Sequence, residues 1–209
     1  MGKLILCRHH ESEWNKLGLW TGMRDRHLTE YGFEKAEEMG KNIADIPVQR
    51  GFASMLVRSI ETLSTMLNAM GQINVPVEYS AALNERNYGD YTGKDKWEML
   101  KLIGQEEWDN VRRGWDYPVP NGETLKQVYE RSVPYFLQTI VPKINAGETV
   151  LVAAHGNSCR AIIKYIENIS DEEIKNVEML FGSIFIYDLD EAGHVIHKEI
   201  RQIQSNVNA

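Results

Sequence analysis

The chain reads as an α/β protein of three layers, a mostly parallel sheet with helices on both faces. Three observations predict this. Strand-length apolar runs alternate with amphipathic stretches of helical period along the sequence. Two of the runs, Leu4–Cys7 and Val150–Ala154, are apolar at every position, as strands buried on both faces are. Both runs give way to a histidine and then to small or polar residues: Arg8-His9-His10-Glu11-Ser12 and His155-Gly156-Asn157-Ser158.

Leu4–Cys7 is the first strand, and Ser12–Gly22 is loop with a short helical turn. Thr29 caps an amphipathic helix running to Asp45, with Phe33, Ala36, Met39, Gly40 and Ile43 at helical spacing. Phe52–Leu56 is a short second strand. Arg58–Met70 is a helix with Ile60, Leu63, Leu67 and Met70 on one face. Val75–Tyr79 reads as an edge strand, because Pro76 cannot donate to a ladder. Trp97–Trp108 is helix, and Gly114–Gly122, with Pro118, Pro120 and Asn121-Gly122, is loop. Glu123–Ile144 is a long helix in which Pro134 marks a kink and Pro142 an end. Val150–Ala154 is the fourth strand, Ser158–Ile169 a helix and Ile184–Leu189 the final strand. No repeat, low-complexity tract or linker divides the 209 residues, so one domain over 1–209 is expected.

Composition narrows the function classes. A net charge of -7 argues against a general nucleic-acid binder, so any cationic cluster must be local. No apolar run reaches the roughly 18 residues that span a bilayer. The first strand follows the N-terminus with no signal-peptide pattern, and a cytoplasmic protein is expected. Cys7 and Cys159 each neighbour a candidate histidine and read as reduced packing residues rather than a disulfide. Neither His-Glu-x-x-His nor a Cys/His pair of zinc-finger spacing occurs among the six histidines, so no metal is expected.

Ligands of such sheets bind beyond the carboxyl ends of strands. If the first and fourth strands lie side by side in parallel, His9 and His155 meet there, with Ser54 and Arg58 beyond the second strand. Two imidazoles beside the guanidinium groups of Arg8 and Arg58 suit phosphoryl transfer with one histidine as nucleophile. Gly156-Asn157-Ser158 opens a helix whose amides favour anions, and Ser12 and Asn15 add neutral donors. Glu85, in the polar stretch Asn84–Gly89, is a candidate proton shuttle. Arg112-Arg113 suits a second anionic group such as a carboxylate. Taken singly, each has a plainer reading: a buried structural histidine, a surface carboxylate, a solvated helix face. Their convergence on one sheet edge favours a site.

Arg8-His9-x-Glu11-Ser12-x-Trp14-Asn15, Thr21-Gly22, Asn84-Glu85-Arg86-x-Tyr88-Gly89 and His155-Gly156-Asn157-Ser158-x-Arg160-Ala161 resemble the histidine phosphatase superfamily. Within it they are most similar to the phosphoglycerate mutases that depend on 2,3-bisphosphoglycerate, over Leu4 to about Asp190. The resemblance implies a phosphoglycerate mutase-like fold and interconversion of 3- and 2-phosphoglycerate in glycolysis and gluconeogenesis. His9 would become a phosphohistidine primed by 2,3-bisphosphoglycerate, without metal. Arg8, Arg58, Asn15 and His155 would hold the phosphoryl group, and Glu85 would be general acid and base. Tyr88, Lys96, Arg112 and Arg113 would bind the substrate's other anionic groups. Ser12 follows the mutase pattern and is expected at the substrate, while Thr21, Gly22, Gly156 and Asn157 would line the pocket. Partners would be a small phosphorylated carboxylate and, as monomer or homo-oligomer, other copies of the chain.

Four departures bear on activity. His10 stands where the family has glycine, a residue used for positive φ or close backbone approach. It is expected to crowd the phosphate and lower turnover, or else to point outward harmlessly. Asn87 replaces the family histidine and is expected to alter how Glu85 is oriented. The Arg113–Glu123 connection is short where many members carry an insertion that forms subunit contacts. The chain also stops soon after its last strand, without the tail that closes over the site in longer members, which favours water reaching the phosphoenzyme. The competing reading is therefore a phosphomonoesterase of the same superfamily. A third is a degenerate member that only binds phosphorylated ligands.

Overall fold

The computed structural model describes residues 2–206, so residue 1 and residues 207–209 of the expected domain lie outside the described residues. Its strands are β1 (Lys3–Arg8), β2 (Arg50–Ser54), β3 (Val77–Ser80), β4 (Val150–Ala154), β5 (Ser183–Leu189) and β6 (Val195–Gln202). They form a 6-stranded sheet in the order β3-β2-β4-β1-β5-β6. β1 to β4 pair in parallel, β5 runs antiparallel to β1, and β6 antiparallel to β5. The helices are α1 (Glu13–Lys16), α2 (Glu30–Asn42), α3 (Val57–Ala69), α4 (Lys96–Ile103), α5 (Gln105–Arg113), α6 (Leu125–Tyr135), α7 (Val141–Asn145) and α8 (Gly156–Ile166).

Side chains alternate across a strand, so the continuous apolar runs feed two cores. Leu4, Leu6, Val150, Val152 and Ala154 pack with Phe136, Val141, Ile162 and Ile166 from the α6, α7 and α8 side. Ile5, Cys7, Leu151 and Ala153 pack with Met39, Leu63 and Met66 of α2 and α3. A third cluster, built on Trp20, Met99, Trp108 and Val111, joins the α4–α5 pair to the first loop.

The three-layer expectation holds, with local corrections. β6 was not anticipated, because Val195–Gln202 carries Lys198, Glu199 and Arg201 and no apolar run. Such charges are what an exposed edge strand needs against stray pairing. The second strand starts two residues before Phe52 and ends at Ser54, and the third lies at Val77–Ser80, just after Pro76. The expected Trp97–Trp108 helix is two helices, because Gly104 at φ 80 leaves the α conformation between them. Pro134 lies within α6, and two residues later the helix loosens into a π-helical stretch, Phe136–Ile140, that leads into α7. Pro142 opens α7 instead of ending the run, since a first-turn residue has no amide to lose. The last long helix starts at Gly156 and stops at Ile166.

Candidate active site

The β1–β4 register pairs Arg8 with Ala154, and the His9 amide donates to the Ala154 carbonyl at 2.9 Å. Both histidines thus leave the sheet at one edge, with ring centroids 4.9 Å apart. His9 is 3% exposed and His155 is fully buried. His9 Nδ1 lies 2.6 Å from the His10 carbonyl, which can only accept, so Nδ1 carries the proton. Nε2 then holds the lone pair, and Arg58 Nε donates to it at 3.3 Å. Burial first, then the charges of Arg58 and Arg8, holds the His9 pKa well below the ordinary histidine value. His9 is therefore neutral at pH 7, with Nε2 available as a nucleophile.

His155 is lowered in the same way by burial and Arg58. Its Nε2 shares a 2.7 Å hydrogen bond with Ser54 Oγ, and its Nδ1 is buried without a partner among the described residues. Arg58, only 1% exposed, is fixed by donating to the carbonyls of Arg24 at 2.9 Å and Gly22 at 2.8 Å. Gly22, at φ 52, turns its carbonyl into that position.

Glu85 is held through Oε1, which accepts from the Arg86 amide at 2.7 Å, the Asn157 amide at 3.2 Å and Asn157 Nδ2 at 3.1 Å. Oε2 is left for a proton. Asn157 Nδ2 also donates to the Tyr88 hydroxyl at 2.8 Å, and Asn157 Oδ1 accepts from Arg160 at 3.1 Å. The buried guanidinium groups are tied mainly to neutral carbonyls. Arg8 donates to Met179 at 3.1 Å and lies 3.8 Å over the Phe181 ring, and Arg160 donates to Arg112, Arg113 and Ile174. Burial lowers the pKa of Arg58 and Arg160 only to about 10, so both remain charged at pH 7. Burial, with Arg8 and Arg112 nearby, brings Lys96 down to about 8.

One cavity gathers most of the expected residues. Arg8, His9 and Asn15 line it from the first strand end and loop, with Thr21, Gly22 and Arg58 beside them. Glu85, Tyr88 and Lys96 follow, then Arg112 and Arg113 from α5 and Gly156 and Asn157 from α8. His155 is not on the wall; its ring lies 4.9 Å from that of His9. Trp20, Arg160, Val177, Glu178 and Met179 also line the cavity and were not anticipated as site residues. Among the described residues, no three His, Cys, Asp or Glu side chains gather as a metal site.

Four expectations need correction. Ser12 is fully buried and off the wall; its hydroxyl donates to Asn15 Oδ1 at 2.7 Å, leaving Asn15 Nδ2 as the donor for a ligand. The amide of Asn157 at the start of α8 is spent on Glu85, so that helix end holds the chain's own carboxylate. Asn87 does not touch Glu85: its Oδ1 accepts from the Gly89 amide at 2.9 Å and shapes the turn. His10 neither lines the cavity nor points outward, and its φ is not positive. Its fully buried ring packs edge-on to Tyr31 at 5.6 Å and tilted against Phe181 at 5.4 Å, with both nitrogens unpartnered. Cys7 and Cys159 are buried and unbridged; burial pushes the Cys7 thiol up to about 12 and raises Cys159 as well.

A neutral histidine with an available Nε2, a second histidine 4.9 Å from it and several buried arginines make a site suited to phosphoryl transfer. Residues 4–200 match the histidine phosphatase superfamily (branch 1), and the chain belongs to that family. It is 40% identical over 199 residues to a 2,3-bisphosphoglycerate-dependent phosphoglycerate mutase of Parvibaculum lavamentivorans, covering 94% of this chain and 95% of that protein. Identity is 42% over 197 residues to the enzyme of the same name from Nitrobacter hamburgensis, covering 93% and 95%. It is 41% over 199 residues to a phosphoglycerate mutase of Schizosaccharomyces pombe, covering 94% of each. The fold is similar to that of Bacillus stearothermophilus YhfR, with a TM-score of 0.81 and 26% identity over 94% of this chain and 96% of the other.

Proposed function

We propose that this chain interconverts 3-phosphoglycerate and 2-phosphoglycerate, through a phosphohistidine at His9 primed by 2,3-bisphosphoglycerate. One observation carries the reading: Lys96, Arg112 and Arg113 line the same cavity as His9 and Arg58, more cations than one phosphoryl group needs. Arg58 is bonded to His9 Nε2, which leaves the other three for a second anionic group. A ligand with an anion at each end suits that arrangement, and mutases some 40% identical act on such ligands by name. The reading takes residues 1–209 as one domain, because strands from both ends of the chain share a sheet.

His9 Nε2 attacks the phosphorus of the bisphosphate, forming an N–P bond as the ester P–O bond breaks. Glu85 Oε2 gives the departing oxygen its proton. In the return step, the hydroxyl of a phosphoglycerate gives its proton to Glu85 as its oxygen attacks phospho-His9 and the N–P bond breaks. Arg58 and Arg8, with Asn15 Nδ2, meet the phosphoryl oxygens, and His155 packs against the His9 ring. Lys96, Arg112, Arg113 and Tyr88 hold the other end, and Thr21, Gly22 and Gly156 shape the wall. Arg8 and Arg58 are fixed by backbone carbonyls before substrate arrives, so little reorganisation accompanies transfer. Two reduced cysteines suit a cytoplasmic enzyme. Among the described residues, no helix is long and apolar enough to cross a membrane.

The test is to give purified protein 3-phosphoglycerate with and without catalytic 2,3-bisphosphoglycerate, recording 2-phosphoglycerate and free phosphate. Isomerisation stimulated by the bisphosphate, with little free phosphate, is expected. Phosphate release without isomerisation would replace the mutase by a phosphomonoesterase.

A further inference from the structure

Apart from Glu85, Glu178 is the only carboxylate among the described residues of the cavity wall. Its backbone is fixed on both sides. The Val177 amide donates to Ile174 at 3.1 Å, and the Met179 carbonyl accepts from Arg8 at 3.1 Å. Its side chain reaches Arg113, whose Nη2 donates to Glu178 Oε1 at 3.0 Å. This breaks the pattern of the site, where Arg8, Arg58 and Arg160 keep their charge by bonding neutral carbonyls. A carboxylate has been set against one of the two adjacent arginines that end α5.

We infer that Glu178 discriminates ligands by the charge of the group that meets Arg113. Its carboxylate occupies Arg113 until a ligand displaces it, and once displaced it stays close enough to repel. The displacement cost is the same for every ligand that reaches Arg113, whereas the repulsion scales with the charge that ligand places there. Glu178 therefore weakens binding of a dianionic far phosphate more than of a far hydroxyl and carboxylate. A doubly phosphorylated ligand is thus released more readily relative to a singly phosphorylated one. The pair is partly solvated, with side chains 32% and 36% exposed, so the effect is modest. The inference rests on the proposed mutase reading for its ligands.

The experiment is calorimetric titration of the wild type and Glu178→Gln with 2,3-bisphosphoglycerate, 3-phosphoglycerate and inorganic phosphate at fixed ionic strength. The variant is expected to bind the bisphosphate about two- to five-fold more tightly, the monophosphate less markedly so, and inorganic phosphate unchanged. Raising salt should shrink the difference. Equal tightening of all three ligands, or a bisphosphate affinity that stays constant or falls, overturns the inference, as does failure of both proteins to bind bisphosphate. Binding needs no turnover. A wild type that shows the charge signature but does not isomerise would remove the mutase reading and leave the role of Glu178 standing.

Discussion

His10→Phe probes the buried imidazole next to His9. Burial, with Arg8 and Lys35 nearby and only Glu38 opposing, lowers the His10 pKa from 6.5 to about 4. Above pH 6.5 the ring is neutral in both folded and unfolded chains. Between 6.5 and about 4 the unfolded chain takes up a proton that the folded protein refuses, so acidification favours unfolding. At about 1.36 kcal/mol per pKa unit, the full window removes roughly 3 kcal/mol of stability, and roughly 2 kcal/mol is gone by about pH 5. Phenylalanine takes up no proton. Urea unfolding of both proteins at about pH 7.5 and about pH 5 should therefore show the stability difference move by roughly 2 kcal/mol in the variant's favour on acidification. Any strain from the larger ring is common to both pH values and cancels. His9 and His155, whose pKa values are also held low, remain in both proteins and cancel too. A difference that does not change with pH refutes a buried, neutral His10.

Glu85→Gln keeps the hydrogen bonds to Asn157 and Arg86 within reach but removes the proton acceptor. Its kcat should fall about 10²- to 10⁴-fold with little change in KM, measured by steady-state isomerisation. Ser54→Ala leaves both nitrogens of His155 buried without a partner. Thermal unfolding should show a loss of about 1–3 kcal/mol, and kcat should fall more than KM rises.

Both histidines were legible because an uninterrupted apolar run that ends in polar residues marks a buried strand and its open end. Pairing β1 with β4 in parallel does the rest. The cations and Glu85 were legible from local motifs. What escaped depends on contacts between distant segments. Ser54 was legible at the same sheet edge as His155, but its bond to that ring across 101 residues was not, and Glu178 meets Arg113 across 65 with no spacing to announce it. β6 escaped because an exposed edge strand need not be apolar. The position of His10 escaped because a histidine after a strand suggests a ligand or a surface. Here Tyr31 and Phe181 close around it instead.

A chain of net charge -7 builds a cationic cavity by choosing what its arginines bond. A guanidinium paired with a carboxylate is half neutralised, whereas one bonded to a carbonyl is immobilised with its full charge. Arg58 gives its terminal nitrogens to Arg24 and Gly22, and Arg160 gives Nη2 to Arg113 and Ile174. The cost of burying such charges is met by fixed dipoles, and the field remains for a phosphoryl group. The same field keeps His9 unprotonated, since Arg58 and Arg8 add to burial in lowering its pKa. One set of buried arginines thus suits an anion and keeps the neighbouring His9 neutral. The Arg113–Glu178 pair sits at the partly solvated rim, where a carboxylate can temper affinity without protonating His9.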